Sequence, residues 1–405
     1  KNTPWDQIAR AFITASGDVQ EQGSAALIMA QSGKPEETVA EVSRIFMGIQ
    51  IQCAQCHDHP TDRWKREQFH ELAAFFPRVA IRRDGSARPA KFFVVVNDRE
   101  AGGPGRVNAN QRVVGTPEHR MPDMDDPSAA GTVMKPVFFV NGKTMPLGTK
   151  DADRRGALAD WVTAGDNPWF AKAIVNRMWA ELVGEGFYEP IDDLGPDRTC
   201  TAPESLDWFA LEFLRSGYDV KWLVNTIVLS EPYQRASAAR RGEDQAAFQS
   251  NIAQRLRGDQ VFQVLSDLFS IPEFAGPAAA PAGQNRPGAV MRSPRGQFNS
   301  VFGFDPSAPR EEVAGSIPQA LVMMNHPLIR AGVDGNRGKL ATMLRKIKDD
   351  EELVVELYMQ TLARQPTEKE IAICRDYVRE IDRRQEAFED IFWSLVNSTE
   401  FLHRR

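Results

Sequence analysis

Apolar residues return every three or four positions along both flanks of this 405-residue chain, and that rhythm breaks between residues 78 and 150. A change of period of this kind restricts the chain to helical bodies with a short, differently built module between them. The reading is a mainly α, helical two-domain protein with a small β-rich or irregular module between the halves. Its boundaries are a helical region over 1–80, the module over 81–150 and a helical C-terminal domain over 151–405. A length of 405 residues is ample for two or three domains with sizeable cores.

Within the first region, Trp5, Ile8, Phe12 and Ile13 recur at helical spacing after Thr3-Pro4, a cap followed by a first-turn proline. Pro35-Glu36-Glu37 opens a second helix with Val39, Val42, Ile45, Phe46 and Ile49 on its apolar face. Its early acids suit the N-terminal dipole. The spacing predicts that this helix runs straight into Cys53, and that a third helix starts near Asp62 and stops at Pro77. In the module, Phe92–Val96, Arg112–Val114 and Val137–Val140 read as strands. Beyond Asp151 helices resume. Asn167-Pro168 is a cap and first-turn signal, and Thr367-Glu368-Lys369-Glu370 is a capping box. Prolines among alanines and glycines mark 271–296 as a long loop.

Charge nearly balances, at −6 from 49 basic and 55 acidic residues, which argues against a nucleic-acid partner. No stretch approaches 18 uninterrupted apolar residues, so no transmembrane segment is expected. The opening Lys-Asn-Thr-Pro-Trp has no apolar signal core. That suits either a cytoplasmic chain or a processed or trimmed one. Oligomeric state is not written in the sequence.

Four cysteines are too few for a disulfide scaffold, and two of them stand in Cys53-Ala54-Gln55-Cys56-His57. This is the attachment pattern for c-type haem. Two thiols at this spacing reach the two vinyl groups of one haem, and the next residue turns its imidazole to the iron. At this composition chance supplies the pattern about 0.0006 times. Three readings stand: one covalent haem c; a mononuclear zinc or non-haem iron site using Cys53 and Cys56 with His57 or His59, and His70 as a further donor; or a reduced or disulfide-bonded pair in a tight turn with surface histidines. Under the haem reading, His57 is the metal ligand. His59 is too close in sequence to reach the opposite face, so it belongs to the cofactor surroundings. The opposite face is left to His119, to Met121 or Met124 of the same loop, or to no ligand; Met47 reads as core. Cys200 and Cys374 read as free or buried.

Other acid clusters have plainer readings. Asp123, Asp125 and Asp126 lack the glycine and glutamate of a calcium loop and read as a solvated turn. Asp192-Asp193 reads as a partner for Arg177 before it reads as a general base. No P-loop, nucleophile elbow or dinucleotide fingerprint occurs.

The run Cys53–Pro60, then Asp62-Arg63-Trp64 and Leu72–Phe76, closely resembles the planctomycete-specific cytochrome-like domain. Asn167–Ala171, Asn176–Trp179, Pro190–Asp193, Gly217–Asp219, Ser316–Leu321 and Trp393–Phe401 resemble the planctomycete-specific domain of unknown function that usually follows it. The resemblance implies an exported or periplasmic protein, often encoded beside sulfatase-like and sugar-processing genes. It also implies a longer N-terminal region with a signal peptide, sometimes with another haem motif. The expected function is electron transfer, or haem-dependent redox chemistry linked to glycan breakdown, with a redox partner protein and a glycan as implied partners. If the chain is an enzyme under this reading, it is an oxidoreductase. The alternatives are a non-haem metal-dependent hydrolase or lyase, and a structural or binding protein.

Overall fold

The computed structural model describes residues 1–87, 90–98, 118–237, 246–270, 294–303 and 315–404. The chain is mainly α-helical and divides into two compact units. One comprises Lys1–Ala236 and Arg241–Asn251; the other comprises Ser237–Arg240 and Ile252–Arg405. The boundary expected at residue 150 therefore falls inside the first unit. The physical reason is a shared core. Ile13, Val42, Phe46, Phe69 and Leu72 from the first eighty residues pack in one cluster with Leu158, Phe170, Ile174, Trp179 and Phe213. Each of the phenylalanines contributes roughly 1.5–3 kcal/mol by its burial, and neither set of helices can bury its stripe without the other.

Helices Trp5–Ile13, Pro35–Met47 and Arg66–Ala73 supply one side of that core, and Asp151–Val162, Pro168–Val183, Pro203–Arg215 and Val220–Val228 supply the other. Asn167 caps as expected, its side chain accepting from the Trp169 N–H, with Pro168 in the first turn. Three local expectations shift. Thr3 gives no cap, because Pro4 holds that position and the Trp5 N–H is taken by the Tyr218 carbonyl. The second helix stops at Met47, because Gly48 turns left-handed (φ 67°). A Cβ at Gly48 would come 2.8 Å from Leu194, so the turn and the close approach both require glycine. The third helix starts at Arg66, where the Asp58 carboxylate accepts the Arg66 N–H.

Of the expected strands, 91–96 pairs antiparallel with Val79–Asp84 in the register Val79↔Val96 to Asp84↔Lys91, and Gly17–Asp18 adds on its other edge. Val79 and Val94 point from this sheet onto Ala15, Ala25 and Ile28. Val137–Phe138 pairs with Lys143–Thr144, and Arg120–Met121 pairs with Thr132–Val133. The expected strand at 112–114 lies outside the described residues.

The second unit is a helical array around Phe262, Phe298, Leu340, Leu357, Phe388 and Phe392. Thr367 and Glu370 form the expected capping box at the start of helix Glu368–Ile381. The helix Pro294–Val301 takes in three residues expected to be loop, since its Phe298 finds a buried place in the core. The rest of that loop, 271–293, is outside the described residues. No helix among the described residues is long and apolar enough to cross a membrane.

Candidate functional site

Gly48 swings the chain out of helix Pro35–Met47 and into a 3-10 turn, Ile51–Gln55. Ile51 and Ala54 are three residues apart, the period of that turn, and both are buried. The same period turns Cys53 and Cys56 outward, and His57, beyond the end of the turn, is exposed as well. Both thiols are free, as are Cys200 and the buried Cys374.

His57 Nδ1 lies 2.7 Å from the Asp58 carbonyl oxygen. A carbonyl has no proton to give, so Nδ1 carries the hydrogen, and in the neutral ring Nε2 is the nitrogen with a bare lone pair. The Asp58 carboxylate accepts from Lys65 Nζ at 2.9 Å and from the Arg66 N–H at 3.1 Å, and these two bonds hold its pKa below the usual carboxylate range. His59 donates its backbone N–H to the Trp64 carbonyl, and its Nδ1 accepts from the Thr61 N–H. It thereby ties the turn after the motif rather than standing beside His57 as a second free imidazole.

A segment from the other half of the unit seats this loop. Arg198 donates to the Thr61 carbonyl and hydroxyl, Arg63 pairs with Asp197 at 3.0 Å, and the Leu194 N–H donates to the Gly48 carbonyl at 2.6 Å. The segment is itself anchored by Asp192. Its buried carboxylate lies 2.7 Å from Arg44 and 2.5 Å from Arg177. Two guanidinium partners make Asp192 a structural ion and leave it no room to act as a general base.

Beneath the motif lies a buried chain that sequence reasoning did not find. His70, on the inward face of helix Arg66–Ala73, points Nε2 at the Gln55 carbonyl, 3.0 Å away, inside the C-x-x-C turn. Its Nδ1 meets His119 Nε2 at 2.9 Å, with the rings nearly parallel at 19°. His119 Nδ1 lies 3.8 Å from Glu36 Oε1. Burial pushes both imidazoles down to about 4. His119 is therefore joined to the motif through His70. Its neighbour Glu118 places it: both carboxylate oxygens of Glu118 accept from Arg154, which is fully buried and also donates to the carbonyls of Ala74 and Thr149. Arg66 adds a second clamp, donating to the Pro122 carbonyl at 2.6 Å. The signal for His70 was its place between Phe69 and Leu72-Ala73 on an apolar helix face. The signal for its partner, 49 residues away, was absent.

The remaining candidates are scattered. Met47 is core, Met121 is half-buried and Met124 is exposed. Asp123 and Asp126 accept backbone N–H bonds within their own exposed turn, as a solvated acidic loop does. Among the described residues, no three histidine, cysteine or acidic side chains form a group that could hold a metal ion. His70, the further donor in the zinc or non-haem iron set, has both ring nitrogens engaged inside the protein. Two exposed free thiols at C-x-x-C spacing, followed by an imidazole with a bare Nε2, suit the donor set of a covalent haem.

Residues 1–80 match the family model PSCyt2, protein of unknown function (DUF1549), and residues 154–267 match PSD1, protein of unknown function (DUF1553). The order is that of the planctomycete pair the sequence resembles. No curated protein and no solved structure matches the chain.

Proposed function

We propose that the chain is an exported c-type haem protein that carries one covalent haem on Cys53 and Cys56, with His57 as an iron ligand. The observation that supports this reading most directly is the hydrogen bond from His57 Nδ1 to the Asp58 carbonyl. It selects the tautomer whose Nε2 can bind iron, beside two solvent-facing thiols. The haem would supply reversible one-electron chemistry between ferric and ferrous iron. The chain's own part is to hold and orient. The thiols would anchor the group, Asp58 and Lys65 brace the turn, and Arg198 fastens the loop that follows.

The exposed motif leaves room for a redox partner protein to come close. The sequence resemblance is the support for a glycan-linked role and for export, since bacteria attach haem to this pattern outside the cytoplasmic membrane. The test is intact mass and absorption spectra of protein made in a host with haem-attachment machinery. A mass gain of one haem and an α-band at about 550 nm are expected, and both disappear in a Cys53→Ala/Cys56→Ala variant. A bare polypeptide from that host, whether free of metal or holding zinc, would overturn the reading.

A further inference from the structure

The His119–His70–Gln55 chain can be wired in one direction only. The Gln55 carbonyl accepts and never donates, so His70 Nε2 carries the hydrogen at the 3.0 Å contact. Burial keeps His70 neutral at pH 7, and in the neutral ring Nδ1 is then a bare acceptor. The 2.9 Å contact to His119 therefore has His119 Nε2 as the donor. His119, neutral for the same reason, is left with a bare Nδ1 toward Glu36, at 3.8 Å beyond hydrogen-bond distance.

The target of this chain is a particular carbonyl. Gln55 is the last residue of the 3-10 turn, where carbonyls lose their helical partners, and it lies between Cys53 and Cys56; Arg66 Nε also reaches its carbonyl, at 3.4 Å, farther than His70 at 3.0 Å. His70 is 1% exposed and His119 4%, so water is a poor substitute for either. Both are fixed from below: His70 by its helix, with Phe69 edge-on to its ring, and His119 by Glu118 on Arg154.

We propose that His70 and His119 are positioning residues for the C-x-x-C-H turn: His70 holds the Gln55 carbonyl so that the two thiols and His57 keep one arrangement, and His119 locks His70 in the tautomer that does so. The inference rests on the haem reading for its purpose, though its geometry can be judged without haem. It gives His119 a place behind the motif and no place on the iron.

Three measurements on the full chain test it. Long-range 15N–1H spectra of the haem-free protein should show both rings protonated at Nε2 and bare at Nδ1; a proton on His70 Nδ1 overturns the wiring. Amide exchange over residues 53–58 of the haem-free protein should speed up about tenfold in His70→Phe, which keeps the ring's bulk and removes the closer donor, leaving the longer Arg66 contact in place. It should return toward wild type in His70→Gln, which restores an N–H. Equal exchange in all three proteins overturns the positioning role. In a haem-attaching host, His70→Phe should lower covalent haem yield about tenfold, His70→Gln should recover it, and His119→Phe should leave the iron's spin state as in wild type. A low-spin to high-spin change in His119→Phe would put His119 on the iron and overturn its role here. If wild type takes no haem, the haem reading fails, while the tautomer and exchange measurements still decide this inference.

Discussion

The two units solve the problem of a core differently. In the first, among the described residues, Arg154, Arg155, Asp151, Asn176, Asp192, His70 and His119 are all buried and bonded, most of them to backbone carbonyls or to each other. In the second, the buried polar side chains among the described residues are small, Ser266 and Thr361, and its charged networks lie nearer the surface, as Arg364 with Glu370 and Glu400 does. An apolar core holds helices against one another but has no grip on irregular backbone. A buried guanidinium, imidazole or amide grips one carbonyl in one direction, at the cost of desolvation. The first unit uses that device where loops must be fixed, at 13–15, 55, 74, 149 and 188–191, and its candidate site lies among them. In the second unit the device stands nearer to solvent: Arg384, about one-third exposed, donates to the Leu344, Ile347 and Lys348 carbonyls and pairs with Asp350.

The bluntest way to break the comparison is to cut the first unit. Residues 1–150 alone lack the helices that complete their core and should give no cooperative thermal transition, whereas residues 1–251 should give one. Circular dichroism melts of the two decide, and a cooperative melt of 1–150 would mean that the shared core is dispensable.

The next effect is a single side chain. Arg155 pairs with Asp151, both almost fully buried, and donates to the carbonyls of Ile13 and Ala15. Arg155→Leu strands one carboxylate and two carbonyls and should cost about 3–5 kcal/mol, read from urea unfolding. A loss under about 1 kcal/mol would place this pair with ordinary surface bridges and erase the contrast between the units.

A gentler probe is pH. His70 and His119 titrate at about 4 in the folded protein, because burial disfavours their charged forms, against an ordinary value of 6.5. The unfolded chain binds more protons in the window between these values. Their contribution is therefore complete above pH 6.5 and declines as pH falls toward 4. The melting temperature of the first unit should drop across that window, and the drop should flatten in a His70→Phe/His119→Phe variant. An unchanged slope in the variant would assign the acid sensitivity elsewhere.

The smallest effect belongs to the second unit. Arg364→Ala should cost about 1 kcal/mol, because its pairs with Glu370 and Glu400 are partly solvated. Glu370, held down to about 2 chiefly by Arg364, adds stability above pH 4.5 that is lost as pH falls toward 2. Acid melts of the variant should lack this loss. A cost near that of Arg155→Leu would show that the second unit also depends on its charges.

Much of this was legible in the chain itself. Helices announce themselves by period, and Asn167-Pro168 and Thr367–Glu370 announce their starts, because those signals are local and a few residues suffice to make them. The C-x-x-C-H run and the two-part family likeness are equally local, and so is the fate of the Asp123–Asp126 turn. Tertiary structure alone decided which helices share a core, why the helix before the motif ends at Gly48 against Leu194, and that His119 reaches the site through His70. Each of these depends on a partner tens of residues away, and nothing in local spacing records the direction in which a distant imidazole, arginine or leucine arrives. The sequence thus determined the chemistry available at Cys53, Cys56 and His57, while the fold decided what stands behind it, because buried hydrogen bonds are satisfied only by groups that packing has already brought together.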